Sequence, residues 1–121
     1  MEIIAQILTA IVAVEHIYIL WMEMFAWQTV GKKTFNTLPE HLFKETTVMA
    51  ANQGLYNGFL AAGLIWSFCV SDTNWVTNIR IFFLSCVIIA GMYGAKTLAK
   101  KIFFVQALPA ILALIVVLLN H

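Results

Sequence analysis

Charge is scarce in this chain. Acidic and basic side chains make up 11% of its 121 residues, against about 25% in an average soluble domain. The formal net charge is +1, so no overall field attracts nucleic acid, and none is expected as a partner. There is no basic patch with interleaved aromatics, no glycine-rich phosphate loop and no Ser-His-Asp signature. Proline occurs only at Pro39 and Pro109, which leaves long stretches uninterrupted. Cysteine occurs only at Cys69 and Cys86, each inside an apolar segment and without a C-x-x-C pair, so reduced, buried thiols are expected. A cleaved signal is not expected, because Met1-Glu2 supplies no basic region and the apolar run behind it is too long.

Apolar side chains fill the space that charge leaves. They amount to 62% of the residues, and the mean hydropathy is +0.89. A short chain in water leaves a large share of its surface exposed, so this composition points to lipid as the solvent. A membrane-spanning helix needs about 20 largely apolar residues. Four segments qualify, at about 3–27, 47–70, 76–95 and 102–119. The expected fold is all-α: an integral membrane four-helix bundle, forming a single transmembrane domain over 1–121.

Lysine and arginine set the expected orientation. Lys32, Lys33 and Lys44 lie in the first loop, and Lys96, Lys100 and Lys101 in the third. The second loop has none, and only Arg80 follows it. Loops one and three are therefore expected in the cytoplasm and both termini outside. Trp27 at the inner boundary, with Trp66 and Trp75 near the outer one, suits an aromatic belt. In the first loop, Pro39 suits the first turn of a short surface helix, with Leu38, Leu42 and Phe43 on one side.

The polar groups inside the spans carry the functional argument. "VAVEHIYILWMEM" places Glu15, His16 and Glu23 in an apolar helix. At about 1.5 Å per residue, His16 falls roughly 16 Å from the cytoplasmic end and Glu23 roughly 6 Å. Asn52, Gln53 and Asn57 on the second helix, Tyr93 on the third and Gln106 on the fourth fall in the same half by the same measure. The outer half has little beyond Gln6, Thr9, Ser67 and Ser85. A shared polar pocket open toward the cytoplasm is the expectation, with Glu15, His16, Glu23, Gln53, Asn57, Tyr93 and Gln106 lining it. His16 and Glu23 are seven apart and share a face, as do Gln53 and Asn57. Glu15 is turned about 100° from His16. An ionised side chain at the bilayer centre costs about 2.5–3.5 kcal/mol on insertion scales. Glu15 is therefore expected to be protonated, or paired with His16, another helix or water.

Packing is legible too. Gly54, Gly58 and Ala62 are spaced by four, as are Ala90 with Gly94 and Gly91 with Ala95, and small residues let helices approach closely. Pro109 should kink the fourth helix and free a carbonyl near residue 105.

Taken together, "EHIYILWMEMFAW", "NQGLYNGFLAAGLIW", "AGMYGAKT" and "QALPAILAL" resemble the domain of unknown function 1304 family of small bacterial membrane proteins. The resemblance covers nearly the whole chain. The family's characteristic positions match at Glu15, His16, Glu23, Trp27, Gln53, Gly54, Tyr56, Asn57, Gly58, Tyr93, Gly94, Gln106 and Pro109. It implies a multi-pass protein of the bacterial cell membrane and no particular chemistry.

Three functions compete. The first is a site for a small hydrophobic molecule or lipid, binding it or converting it with Glu15, His16 and Glu23 as the acid/base candidates. The second is a proton-coupled transporter, which would need a homo-oligomer to complete a path. The third is a structural or assembly role, with the polar groups as interhelical glue. A metal is not expected, because one imidazole and two carboxylates, two of them adjacent and divergent, make a poor ligand set. The sequence does not identify a cofactor.

Overall fold

The computed structural model describes all residues from Met1 to His121, and it is all-helical. In chain order the α-helices are α1 (Glu2–Phe25), α2 (Lys32–Thr34), α3 (Leu42–Glu45), α4 (Thr47–Trp66), α5 (Thr73–Thr97) and α6 (Leu108–Asn120). Two π turns interrupt them, Trp27–Gly31 after α1 and Phe103–Ala107 before α6.

Glu2–Phe25, Thr73–Thr97 and the continuous run Phe103–Asn120 are long and apolar enough to cross a membrane. α4 has 20 residues but is not among them, its apolar run being interrupted by Asn52, Gln53 and Asn57. On α1 the outward face reads Ile3, Ile7, Ile11, Val14, Tyr18, Trp21 and Phe25, all exposed and spaced by three or four. An apolar stripe of that length faces lipid, not water. This is the pattern of a membrane protein.

The core lies between the long helices. Ala5, Val12 and Ala13 of α1 meet Leu64 of α4, Leu84 and Val87 of α5, and Ala110, Ala113 and Val117 of α6. α1 packs most extensively on α4, and Gly54 and Gly58 are the reason. A Cβ at Gly54 would stand 2.7 Å from Met24 Cγ and 3.1 Å from the Leu20 carbonyl, and one at Gly58 would collide with Leu20. The small-residue stripe departs from the expected one at Ala62, which is exposed; Ala61 turns inward, as does Gly63, which the sequence offers as a further small surface and which lies under Phe83.

α5 closes on the second π turn in the same way. A Cβ at Gly91 would lie 2.7 Å from the backbone nitrogen of Ala107, an atom that cannot swing aside. Gly91→Val is expected to destabilise the bundle by about 1–3 kcal/mol through overpacking. Thermal unfolding followed by circular dichroism in detergent checks this, and an unchanged midpoint would show that the helices part freely there.

Helix ends differ from the expected ones for local reasons. α4 stops at Trp66, not Val70, with Ser67 Oγ donating to the Leu64 carbonyl at 2.6 Å. α5 starts at Thr73 because Asp72 caps it, its Oδ1 accepting from the Asn74 and Trp75 amides at 2.9 and 3.1 Å. Pro109 has no N–H for the Val105 carbonyl, and the preceding turn widens so that the Leu108 N–H reaches back five residues to Phe103. Pro39 is not in the short helix of loop one; it precedes α3, its carbonyl accepting from the Leu42 N–H at 3.0 Å. Cys69 is exposed and Cys86 half-buried, both free, so Cys69 is not the buried thiol expected.

Loop one folds back onto the end of α1. Phe43 is 1% exposed and lies 4.9 Å from the Trp27 ring, while Phe35 lies 5.6 Å from it on another side. Trp27 Nε1 donates to Thr46 Oγ1 at 2.9 Å. Gly31 is obligatory beneath the indole, since a Cβ would stand 2.8 Å from Trp27 Cε3.

Candidate functional site

The lysine-bearing end of the molecule encloses a cavity of about 420 Å³. α1, α4, α5 and the segment that leads into α6 contribute to it. α1 supplies Glu15, Tyr18, Ile19, Met22 and Glu23, one or two turns apart along one side. α4 supplies Gln53 and Asn57, α5 supplies Ala90 and Gly94, Leu98 follows at its C-terminal end, and the segment before α6 supplies Lys101, Ile102, Val105 and Gln106. Thr34 and Phe35 close the rim, held there by the Trp27 stack.

Five of the seven residues expected at a shared site line this cavity: Glu15, Glu23, Gln53, Asn57 and Gln106. Asn57 Nδ2 donates to Glu23 Oε1 at 2.6 Å and to its own helix at the Gln53 carbonyl, 3.1 Å. Glu23 is thereby fixed from α4. Glu15 is half-buried, and its Oε1 is shielded from solvent without a hydrogen-bond partner. Of the alternatives expected for Glu15, a pairing with His16 does not form, because adjacent helical residues diverge.

His16 stands one layer behind the wall. It is 0% exposed, with Nδ1 2.8 Å from the Val12 carbonyl and Nε2 3.0 Å from Gln106 Nε2. A carbonyl accepts only, so Nδ1 carries the proton and Nε2 accepts from the Gln106 amide. That is a neutral imidazole whose two nitrogens are both occupied. His16 therefore orients Gln106 and does not itself face the cavity. The π turn carries Gln106 across to it, 90 residues away in sequence.

Tyr93 is a correction. It is 69% exposed, and its neighbour Gly94 lines the cavity in its place, because one residue of helix turns the side chain by about 100°. Asn52 is also exposed and bonds only its own helix, at the Val48 carbonyl. Sequence reasoning missed Tyr18, Phe35 and Lys101. Tyr18 lies three residues from Glu15, a spacing that marks it as a neighbour. Lys101 entered only as an orienting charge; its ammonium sits 5.7 Å from the Phe35 ring centre, at the rim.

The opposite end is not as bare of polar groups as expected. Arg80, 3% exposed, pairs with Glu2 Oε1 at 3.0 Å, donates to Ser67 Oγ at 3.3 Å and lies over the Phe68 ring at 5.0 Å. Asn120 Nδ2 donates to Glu2 Oε2 at 2.6 Å. These groups border a second, open cavity of about 610 Å³. They satisfy one another, whereas the first cavity retains an unpartnered carboxyl oxygen. No three His, Cys, Asp or Glu side chains converge anywhere in a metal-binding arrangement.

The comparisons with other proteins agree with the resemblance read from the motifs. An uncharacterized protein, YpaA, of Lactococcus lactis subsp. lactis (strain IL1403) is 35% identical over 117 residues, covering 95% of this chain and 97% of its own length. No solved structure matches significantly. The model of one family matches residues 10–118, nearly the whole chain, and this protein belongs to that family, described as Protein of unknown function (DUF1304).

Proposed function

We propose that this is a four-span protein of the bacterial cell membrane whose cavity opens toward the cytoplasm and binds a small hydrophobic molecule. The observation that carries the binding reading is the cavity itself. It has apolar walls, a few convergent polar groups and an unpartnered Glu15 oxygen. Its volume lies within the range of about 300–1,000 Å³ usual for ligand pockets.

The Glu2–Asn120 contact supports a count of four. Their side chains are hydrogen-bonded at 2.6 Å, an arrangement that suits two ends on one side of the bilayer and hence an even number of crossings, not three. α4 is then the remaining span, its amide-bearing face turned to α1 and the cavity and its Val48, Leu55 and Phe59 exposed to lipid. The orientation follows from the lysines. Arg80 was the only cation counted at the outer end, and Glu2 pairs it. The six lysines gather at the other end, which favours that end as cytoplasmic.

Native mass spectrometry of gently extracted protein, wild type beside Glu15→Gln, tests the binding reading. A small molecule carried by the wild type and depleted in the variant is the expected result. Wild type and variant that are equally folded and equally empty would overturn it. One observation favours transport as a second reading, the additional cavity at the Glu2 end. The apolar core between the two cavities closes that route in this state, and proton-coupled flux in liposomes is the measurement that separates transport from binding.

A further inference from the structure

We infer that the ligand of the inner cavity is a lipophilic amine, its ammonium received by Glu15 and its apolar body laid along Ile19, Ile102 and Val105. This rests on the binding reading above and adds the ligand's charge and chemical class.

The acidic and basic groups around the cavity do not match. α1 presents two carboxyl groups to it, Glu15 and Glu23. They are eight residues apart, about 12 Å along the helix. Glu23 is already engaged by the Asn57 amide at 2.6 Å. Glu15 Oε1 is shielded from solvent and accepts from nothing. The basic groups nearby do not answer it. His16 is neutral and spends both ring nitrogens on Val12 and Gln106. Lys101 is exposed at the rim, with its ammonium over Phe35. The remaining polar side chains that line the cavity are the amides of Gln53, Asn57 and Gln106, the Tyr18 phenol and the Thr34 hydroxyl.

A carboxyl group removed from water either keeps its proton or is paired with a cation. The chain supplies no cation to Glu15, so the pairing falls to an occupant that can take the proton. A carboxylate ligand takes no proton and brings a second acid to the site. An alcohol exchanges hydrogen bonds with the carboxyl but takes no proton from it. A quaternary ammonium compensates a carboxylate but takes no proton and brings no N–H to Oε1. An amine takes the Glu15 proton and, as the ammonium, both compensates the carboxylate and donates N–H to it. Its hydrocarbon body replaces lipid or water against apolar walls, where each buried CH₂ contributes about 0.8 kcal/mol when it leaves water.

The test uses the full chain in detergent and four probes sharing one apolar body: 2-phenylethylamine, its N-trimethyl analogue, 2-phenylethanol and 3-phenylpropanoate. Titration calorimetry reports their affinities. The expected order places the primary amine first, with Glu15→Gln weakening it by about tenfold to a hundredfold, the range for one hydrogen bond to a charged group. Circular dichroism verifies that the variant is folded, and the probe ranking stands on wild type alone if it is not. Alcohol binding as tightly as amine overturns the amine assignment and leaves the cavity a neutral-ligand site. A Glu15→Gln variant that is folded and binds amine at full strength overturns the role of Glu15 in it. Wild type that binds none of the four overturns this inference, and the native mass spectrum then decides separately whether the cavity holds any ligand.

Discussion

Glu2→Ala is expected to destabilise the protein by about 3 kcal/mol, the lower end of the range for stripping one partner from a buried ion pair. The guanidinium of Arg80 is the reason. Its side chain is 4% exposed while that of Glu2 is 50% exposed, so the carboxylate can rehydrate and the arginine cannot. Without Glu2, Arg80 keeps a hydrogen bond to Ser67 and the Phe68 ring but loses its counter-charge. Asn120 loses its acceptor in the same step, which loosens the last turn of α6. Unfolding by sodium dodecyl sulfate in mixed micelles gives the number. The double variant Glu2→Ala with Arg80→Met should recover much of the loss, because no buried charge then remains. A single variant within about 0.5 kcal/mol of wild type, the usual scatter of surface substitutions, would sink this account.

Phe43→Ala is expected to cost a further sort of stability, local to the cavity rim, of about 3–5 kcal/mol for a buried phenylalanine. Phe43 is the underside of the Trp27 ring, and Trp27 in turn supports Phe35, which lines the cavity. Removing the phenyl ring leaves the indole with the Thr46 hydrogen bond and the Gly31 backbone as its remaining seat. Loop one then detaches more often from α1. Trypsin reads this directly, because Lys32, Lys33 and Lys44 all lie in the released segment. Faster cleavage there, with the long helices intact by circular dichroism, is the expected outcome. Cleavage at the wild-type rate would mean that Phe43 does not hold the rim.

Why some of this was legible in the sequence and some was not has a physical explanation. Helical spacing is local, so the common face of His16 and Glu23, and that of Gln53 and Asn57, could be read directly. Depth is local too, at a fixed rise per residue, and it brought Gln106 level with the first helix without any knowledge of packing. Rotation about each helix axis is not local. It is set by neighbours, and it turned Tyr93 outward and Ala62 away from the interface. The Glu2–Arg80 pair joins residues 78 positions apart, and nothing in either segment announces the other. Lys101 and Phe35 come to the cavity from connecting segments, whose paths depend on the π turns and the Trp27 stack.

The Glu2–Arg80–Asn120 network joins α1, α5 and α6 at one end only. From that end α1 extends 24 residues, about 36 Å, to a far end that finishes in a π turn. A tilt of only about 3° about the network would displace that far end by roughly 2 Å over this length. Small changes in angle at the ion pair would thus be largest where Glu23 lines the cavity.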